Sequence, residues 1–334
     1  MKFSSSDTIN FISKLSVRKI FNIILNLKSY YISRIFKKPI HWGTPVSASI
    51  EATTFCNLQC PECPSGLRKF TRPTGNISVE NFEKYLNPIS KKLTYLMIYF
   101  QGEPYMNKSF FELVKNSTSK KIYTATSTNG HFLNAENARQ TIDSGLDRLI
   151  ISLDGTTQET YSSYRKNGNF ETVIDGIKIL VDWKKKLKSK KPYLILQFLV
   201  LKTNEDKIDE VKQLARDLGV DELQLKTAQF YEYENGNPLM PENSKYSRYF
   251  KNKEEKYFLK KKIKNHCYRQ WESLVITWDG KIVPCCFDKD AKYILGDLNK
   301  NAFHEIWKGN EYKLFRKRIL KNRKSIDICC NCSE

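Results

Sequence analysis

The chain has 334 residues, 40% hydrophobic and 13% aromatic, which excludes a disordered polymer and allows one large domain with a smaller appendage. Its 56 Lys and Arg against 36 Asp and Glu leave a formal charge of +20, which suits a solvated lysine-rich surface or attraction to a polyanion. No window approaches about 18 uncharged apolar residues and no apolar run precedes a small-residue cleavage site, so neither a transmembrane helix nor a signal peptide is expected, and a reducing cytoplasm is the default compartment.

Residues 1–45 are a basic preamble. Ile20, Ile24, Leu27, Tyr31 and Ile35 recur at helical spacing beside Phe21, Leu25, Ile32 and Phe36, with Arg18, Lys19, Lys28, Arg34, Lys37 and Lys38 on the polar side and Pro39 as the stop. Such a helix can cover a core with its apolar stripe, the commoner use, or lie peripherally on an anionic membrane.

Residues 46–228 alternate between strand and helix patterns. Strand-like runs are 46–52, 93–100, 121–127, 147–153, 193–201 and 222–226; helical patterns lie at 78–86, 108–117, 135–144, 170–186 and 205–218, the last stopped by Gly219. The lysine-rich run 184–191 reads as the polar end of one helix. Near-continuous Ile, Leu and Val runs belong to strands buried on both faces, so the expectation is an α/β core with a parallel sheet and ligands at the carboxyl ends of its strands.

Those ends carry polar residues next to glycine: Gln101-Gly102-Glu103-Pro104, Ser127-Thr128-Asn129-Gly130 and Ser152-Leu153-Asp154-Gly155. Glycine lets a ligand approach the backbone, and a carboxylate can accept from an ammonium group. Arg165 follows, a guanidinium suited to a ligand carboxylate or simply to solvent.

The nine cysteines cluster in short spacings, as metal sites do. Cys56, Cys60 and Cys63 follow the first strand at Cys-x3-Cys-x2-Cys, running into an exposed turn at 64–68. A structural zinc or a fully protein-held iron–sulfur cluster wants four ligands, so three thiolates point to a cluster with one open iron, or to a zinc knuckle completed from elsewhere. Residues 229–265 read as a linker whose lysine-rich part, 251–264, is expected to be helical. In residues 266–334, a hairpin around Asp279-Gly280 carries Cys267 and Cys285 at Cys-x12-Gly-x4-Cys, and a helix within 302–320 leads to Cys329 and Cys332. These four thiols suit zinc or an iron–sulfur cluster, with Cys286 and Cys330 as spares.

The three-cysteine loop resembles the signature of the radical S-adenosylmethionine (SAM) superfamily, and Gly102-Glu103-Pro104 resembles that family's amine-holding motif. The strand–helix alternation resembles its partial (β/α)6 TIM-like barrel, and the C-terminal cysteines resemble its SPASM/twitch extension. The chain ends two residues after Cys332, which fits the shorter, one-cluster arrangement. The resemblance implies a [4Fe-4S] cluster on Cys56, Cys60 and Cys63. It implies SAM placed by Gly102, Glu103, Pro104, Ser127, Asn129, Ser152, Asp154 and Arg165. It further implies one auxiliary [4Fe-4S] cluster on Cys267, Cys285, Cys329 and Cys332, and a reducing partner such as flavodoxin or ferredoxin. The implied reaction is hydrogen abstraction with net oxidation or cross-linking of a peptide, a protein or a sugar or glycan precursor. No winged-helix leader-binding segment is read before residue 46, which weakens a leader-guided peptide. The competing class is a non-catalytic, metal-stapled protein that grips RNA or a membrane surface. A nucleic-acid partner is not expected, because neither an aromatic-interleaved basic strand nor a fused RNA-binding motif is present.

Overall fold

In a computed structural model that describes residues 5–332, two helices, α1 (Ser5–Ser13) and α2 (Val17–Phe36), precede the first strand, β1 (Ser47–Ile50). Then come α3 (Pro64–Leu67), α4 (Val79–Ser90), β2 (Tyr95–Met97), α5 (Phe110–Ser119), β3 (Tyr123–Thr128), α6 (Ala135–Asp143), β4 (Arg148–Ser152), α7 (Gln158–Tyr164), α8 (Phe170–Lys186), β5 (Tyr193–Val200), α9 (Ile208–Leu218) and β6 (Glu222–Thr227). β1 to β6 pair in parallel in chain order, which is the expected partial barrel. Asn169 caps α8 by accepting from Thr172 N at 2.9 Å, and Gly219 ends α9 at φ +69°, a left-handed turn that favours glycine.

Leu113, Val173, Ile177, Leu180 and Val211 from the helices pack on Ile50, Leu96, Leu149, Ile151, Leu194 and Leu196 from the strands, all essentially inaccessible to solvent. Because side chains alternate along a strand, the remaining set points into the barrel. At the amino-terminal ends of the strands this interior is filled. The Tyr95 and Tyr123 rings stack at 5.6 Å, and Phe11 of α1 meets Tyr123 edge-on at 5.4 Å. Asp7 of α1 accepts hydrogen bonds from the Tyr123 hydroxyl and the Arg148 guanidinium. At the carboxyl ends the interior stays open.

The second half of the chain differs from expectation in two places. Residues 251–264 are not helical. Instead β7 (Tyr249–Lys251) and β8 (Tyr257–Leu259) form an antiparallel hairpin. Asn252 Oδ1 accepts from Glu254 N at 3.1 Å and Lys256 N at 2.8 Å, closing a turn that competes with helix, while Phe250 and Phe258 pair across the strands. The C-terminal hairpin, β9 (Ser273–Ile276) and β10 (Lys281–Val283), forms after α10 (Arg269–Glu272) as expected, but it does not stand alone. β9 pairs in parallel with the free edge of β1, Ser47 opposite Ser273, and β11 (Gly296–Asp297) completes a nine-stranded sheet. α11 (Phe303–Trp307), α12 (Asn310–Asn322) and α13 (Asp327–Cys330) follow.

The amphipathic α2 packs on the protein, but by its polar stripe. Asn22, Asn26, Ser29 and Ser33 are buried, whereas Ile20, Ile24, Leu27, Tyr31 and Ile35 are exposed. The cause lies in segment 40–45, whose backbone has no ladder partner. Asn22 Nδ2 donates to Thr44 O at 3.0 Å while its Oδ1 accepts from Thr44 N at 2.9 Å. Asn26 Nδ2 donates to Thr44 O at 2.8 Å, Ser29 Oγ accepts from Trp42 N at 3.0 Å, and Ser33 Oγ donates to Ile40 O at 2.8 Å. Buried backbone groups must find partners, and this stripe supplies them.

Replacing Asn26 by Leu should therefore destabilise the fold by about 1–3 kcal/mol, although leucine is the better helix former, because it removes two buried hydrogen bonds, to Thr44 O and Asn22 O. Urea unfolding of the variant would check this, and an unchanged or raised midpoint would contradict it.

Candidate active site

The open end of the barrel is a cavity of about 380 Å³. Its wall alternates along the strands: Met97, Ser127, Ile150 and Ser152, Gln197 and Leu199. Cys56, Cys60 and Cys63, from the loop after β1, border the same space. Gly102, Glu103, Asn129 and Arg165 complete the set that the sequence pointed to. Pro104 and Asp154, also expected there, are not on the wall. Pro104 is buried in a 3-10 turn over 104–106, where it starts the turn that orients Glu103. Asp154 faces Arg165 and β5. Its Oδ2 accepts from Arg165 Nε at 2.5 Å and its Oδ1 from Leu199 N at 2.7 Å.

The cysteine loop is held from several sides. Residues 64–67 form the helical turn α3, in which Ser65 and Gly66 are buried while Leu67 and the following Arg68 are exposed. Ser65 Oγ accepts from Gly102 N at 2.9 Å, and Glu103 N donates to Phe55 O at 2.7 Å. Gly102 sits at φ +73°, and a Cβ there would lie 2.4 Å from Thr53 O, so only glycine lets the loop and the second strand end meet this closely. Asn129 Nδ2 donates to Asn57 Oδ1 at 2.7 Å and approaches Cys56 Sγ at 3.8 Å. Arg165 Nη1 approaches Cys60 Sγ at 3.8 Å.

Burial raises the Cys56 thiol to about 12 and moves Cys60 in the same direction, against the pull of Arg165. Such thiols stay neutral until a metal replaces their protons. Among the described residues no three His, Cys, Asp or Glu side chains converge on a point suited to a single ion. The three thiols border a space with volume for a larger body, with Arg165 and the Asn129 amide placed to offset thiolate charge, so the donor set fits an iron–sulfur cluster.

Glu103 is buried, and its carboxylate accepts from Thr128 Oγ1 at 2.8 Å and Asn129 N at 2.7 Å. Burial raises its carboxyl to about 7, opposed by these hydrogen bonds. It is a poised acceptor that an arriving cation would ionise.

The four C-terminal thiols also share one neighbourhood. Cys267 interacts electrostatically with Cys332 and Cys329, and Cys285 with Cys267 and Cys329. Burial raises Cys267 and Cys285, and it raises Cys329 to about 11. Arg323 lies among them, 3% exposed, donating to Cys332 Sγ at 3.0 Å and His266 O at 3.0 Å. A guanidinium beside three of these thiols, Cys267, Cys329 and Cys332, suits a net-negative cluster, so this set fits as well. Both spares are exposed: the Cys330 thiol donates to Lys324 O at 3.0 Å, while Cys286 interacts electrostatically with Cys285. Arg323 was not legible in the sequence, where it is one arginine in the basic run 316–324. Nor were Thr128 and Ser65 singled out, although each lies inside a motif that was.

A second cavity, about 580 Å³, opens beside the first and shares Glu62, Pro64 and Lys289 with it. Its far wall carries Asp327, Ile328 and Asn331, next to the C-terminal cysteines.

Comparison with known proteins is consistent with these two sites. The Radical SAM superfamily profile matches residues 50–215, and SPASM, an iron–sulfur cluster-binding domain, matches 267–333. An AdoMet-dependent heme synthase of Methanosarcina barkeri is 24% identical over 301 residues, covering 80% of this chain and 82% of that protein. A PqqA peptide cyclase of Bradyrhizobium diazoefficiens is 25% identical over 206 residues, 60% of this chain and 51% of the other. Streptococcus suis SuiB, solved with its precursor peptide SuiA, shares the fold at TM-score 0.61 and 14% identity, covering 95% of this chain and 77% of that one.

The Glu103 environment predicts a pH dependence. A carboxyl that titrates near 7 is fully ionised only above that pH, so SAM affinity should fall about tenfold from pH 8 to pH 6. Calorimetric titration of the reconstituted protein would read it. Glu103→Gln should bind weakly at both pH values, and a variant with the wild-type slope would remove Glu103 from this role.

Proposed function

This chain belongs to the radical SAM superfamily and carries a C-terminal SPASM domain, and from that footing we propose that it oxidises or cross-links a peptide or protein by hydrogen abstraction. When bound, the first cluster supplies the electron that splits SAM into methionine and a 5′-deoxyadenosyl radical, the agent that takes a hydrogen atom from a substrate carbon. Cys56, Cys60 and Cys63 would hold that cluster. Glu103 accepts from the SAM amine, and the Ser127, Asn129 and Ser152 strand ends orient the rest. Arg165 balances thiolate charge, and Asp154 acts by fixing Arg165. The electron comes from a reduced flavodoxin or ferredoxin in the cytoplasm.

The observation that carries the reading is the adjoining pair of cavities between the two cysteine sets. A substrate in the larger cavity would lie with one end at Glu62 and Lys289, beside the SAM site, and the other at Asn331, beside the second set. One auxiliary [4Fe-4S] cluster on Cys267, Cys285, Cys329 and Cys332 would accept the electron left on the substrate, so that loss of one hydrogen atom, one electron and one proton completes a two-electron oxidation or a bond. A peptide is favoured by the open cleft and by the peptide-acting relatives. A sugar or glycan precursor is the second reading, favoured by Glu62, Glu232, Asn237 and Asp290 on the wall, which suit hydroxyl groups.

Anaerobic reconstitution should give about eight irons per chain and, with dithionite and SAM, 5′-deoxyadenosine. Cys60→Ala should hold about four irons and form none, whereas Cys267→Ala should keep SAM cleavage with about four irons. Zinc in both sites, or iron without deoxyadenosine, would contradict the proposal. Normal deoxyadenosine from Cys60→Ala would overturn the assignment of the first loop.

A further inference from the structure

The inverted packing of α2 leaves an apolar stripe with no occupant in the fold. Val17, Ile20, Ile24, Leu27, Tyr31 and Ile35 lie three or four residues apart on one face, with Val17 85% and Ile35 73% exposed, while Asn26 and Ser29 on the opposite face are fully buried. Phe21 and Phe36 widen the stripe at 60% and 63% exposure. Water-facing apolar stripes of this length are costly unless something covers them. Among the described residues no helix is long and apolar enough to cross a membrane, so the helix can only lie along a surface.

The charge around the stripe identifies that surface. No Asp or Glu occurs between Asp7 and Glu51, a stretch whose exposed cations are Arg18, Lys28, Arg34, Lys37 and Lys38, whereas Lys14 pairs with Asp147 and Lys19 is buried. Arg34 and Lys37 border a cavity with Lys321, and the exposed Lys261, Lys262 and Lys264 line the adjoining one beside Tyr30. Cations from three parts of the chain thus gather beside the C-terminal end of the helix that carries the stripe. A second copy meeting this face would set mostly cations against cations, Glu272 being the acidic residue that lines the cavity beside Tyr30. An anionic bilayer takes both features at once: apolar side chains enter the acyl boundary while lysines and arginines stay at the head groups.

The geometry points to α2 as an in-plane anchor that holds the enzyme on an anionic lipid bilayer. Its position adds an orientation. α1 and α2 cover the amino-terminal ends of the strands: Lys19 Nζ donates to Lys121 O at 2.6 Å, and Asn10 Nδ2 donates to Asp147 Oδ1 at 3.0 Å, both just before a strand begins. The cavities open at the other ends of those strands. The anchored enzyme therefore presents its site away from the bilayer, and the anchor localises the protein without feeding it lipid.

The test is flotation of the full reconstituted chain with phosphatidylcholine vesicles, with and without phosphatidylglycerol. Wild type should float only with the anionic vesicles, less so in high salt. The double substitution Ile20→Asp and Ile24→Asp should lower partitioning at least about tenfold while leaving the circular dichroism and deoxyadenosine formation unchanged, since both side chains already face water. Absence of flotation by the wild type, or unchanged flotation of the variant, would overturn the anchor. So would light scattering that finds a dimer dissociated by the same substitutions, because the face would then belong to a second copy.

Discussion

β1 is only four residues long, yet both halves of the protein are registered on it. Ser47 faces Tyr95 on one side and Ser273 on the other, so the barrel and the cysteine-bearing hairpin are two edges of one strand. The chain leaving β1 also carries the first three cysteines. The spacing between the two thiol sets is therefore set by backbone hydrogen bonding, the least compliant interaction available, rather than by a linker. A cleft between two cysteine sets that is to hold a reacting substrate needs such a frame, because a small misplacement of reacting groups costs rate steeply.

Around that frame the chain carries much buried polarity, and the groups at the two cysteine sets are locally compensated. The seven thiols fall into two groups, and each group has an arginine within reach of sulfur: Arg165 at Cys60 and Arg323 at Cys332. Arg165 is itself held by Asp154, and Arg72 clamps Glu51 with two bonds of 2.8 and 2.6 Å where the loop meets the hairpin. Removing a single partner from such a group leaves an uncompensated buried charge, so these positions matter beyond their number of contacts. The raised thiols have the same logic: neutral while the protein folds, they give up their protons to metal.

The amino-terminal helices close the other end. Asp7 reaches into the barrel base, where Tyr123 and Arg148 need an acceptor, and the polar stripe of α2 satisfies the backbone of segment 40–45. Pattern reading assumes that an amphipathic helix buries its oily side, which holds when the surface beneath it is oily. Here the surface beneath is bare backbone, and hydrogen bonding decides the orientation. The same choice exposes the apolar side and makes the base of the barrel chemically unlike its mouth.

Local signals carried the fold class and most of the site. Six apolar strand runs between helical patterns determine a parallel sheet, and three polar-glycine strand ends beside a three-cysteine loop determine where its ligands go, because in such a sheet the strand ends converge by topology alone. What depends on nonlocal contact was not readable. Asp154 looks like a ligand in sequence and becomes a brace only when Arg165 folds back on it. Arg323 is anonymous until Cys332 is beside it. Residues 251–264 carry helix-forming lysines, but the Asn252 turn and the Phe250–Phe258 pair outweigh that propensity. The sequence by itself determined the chemistry the chain can hold, since that resides in residue type and spacing. Only the tertiary structure decided which face of α2 meets water and how the second cysteine set abuts the first, because both follow from backbone groups whose partners lie outside their own element.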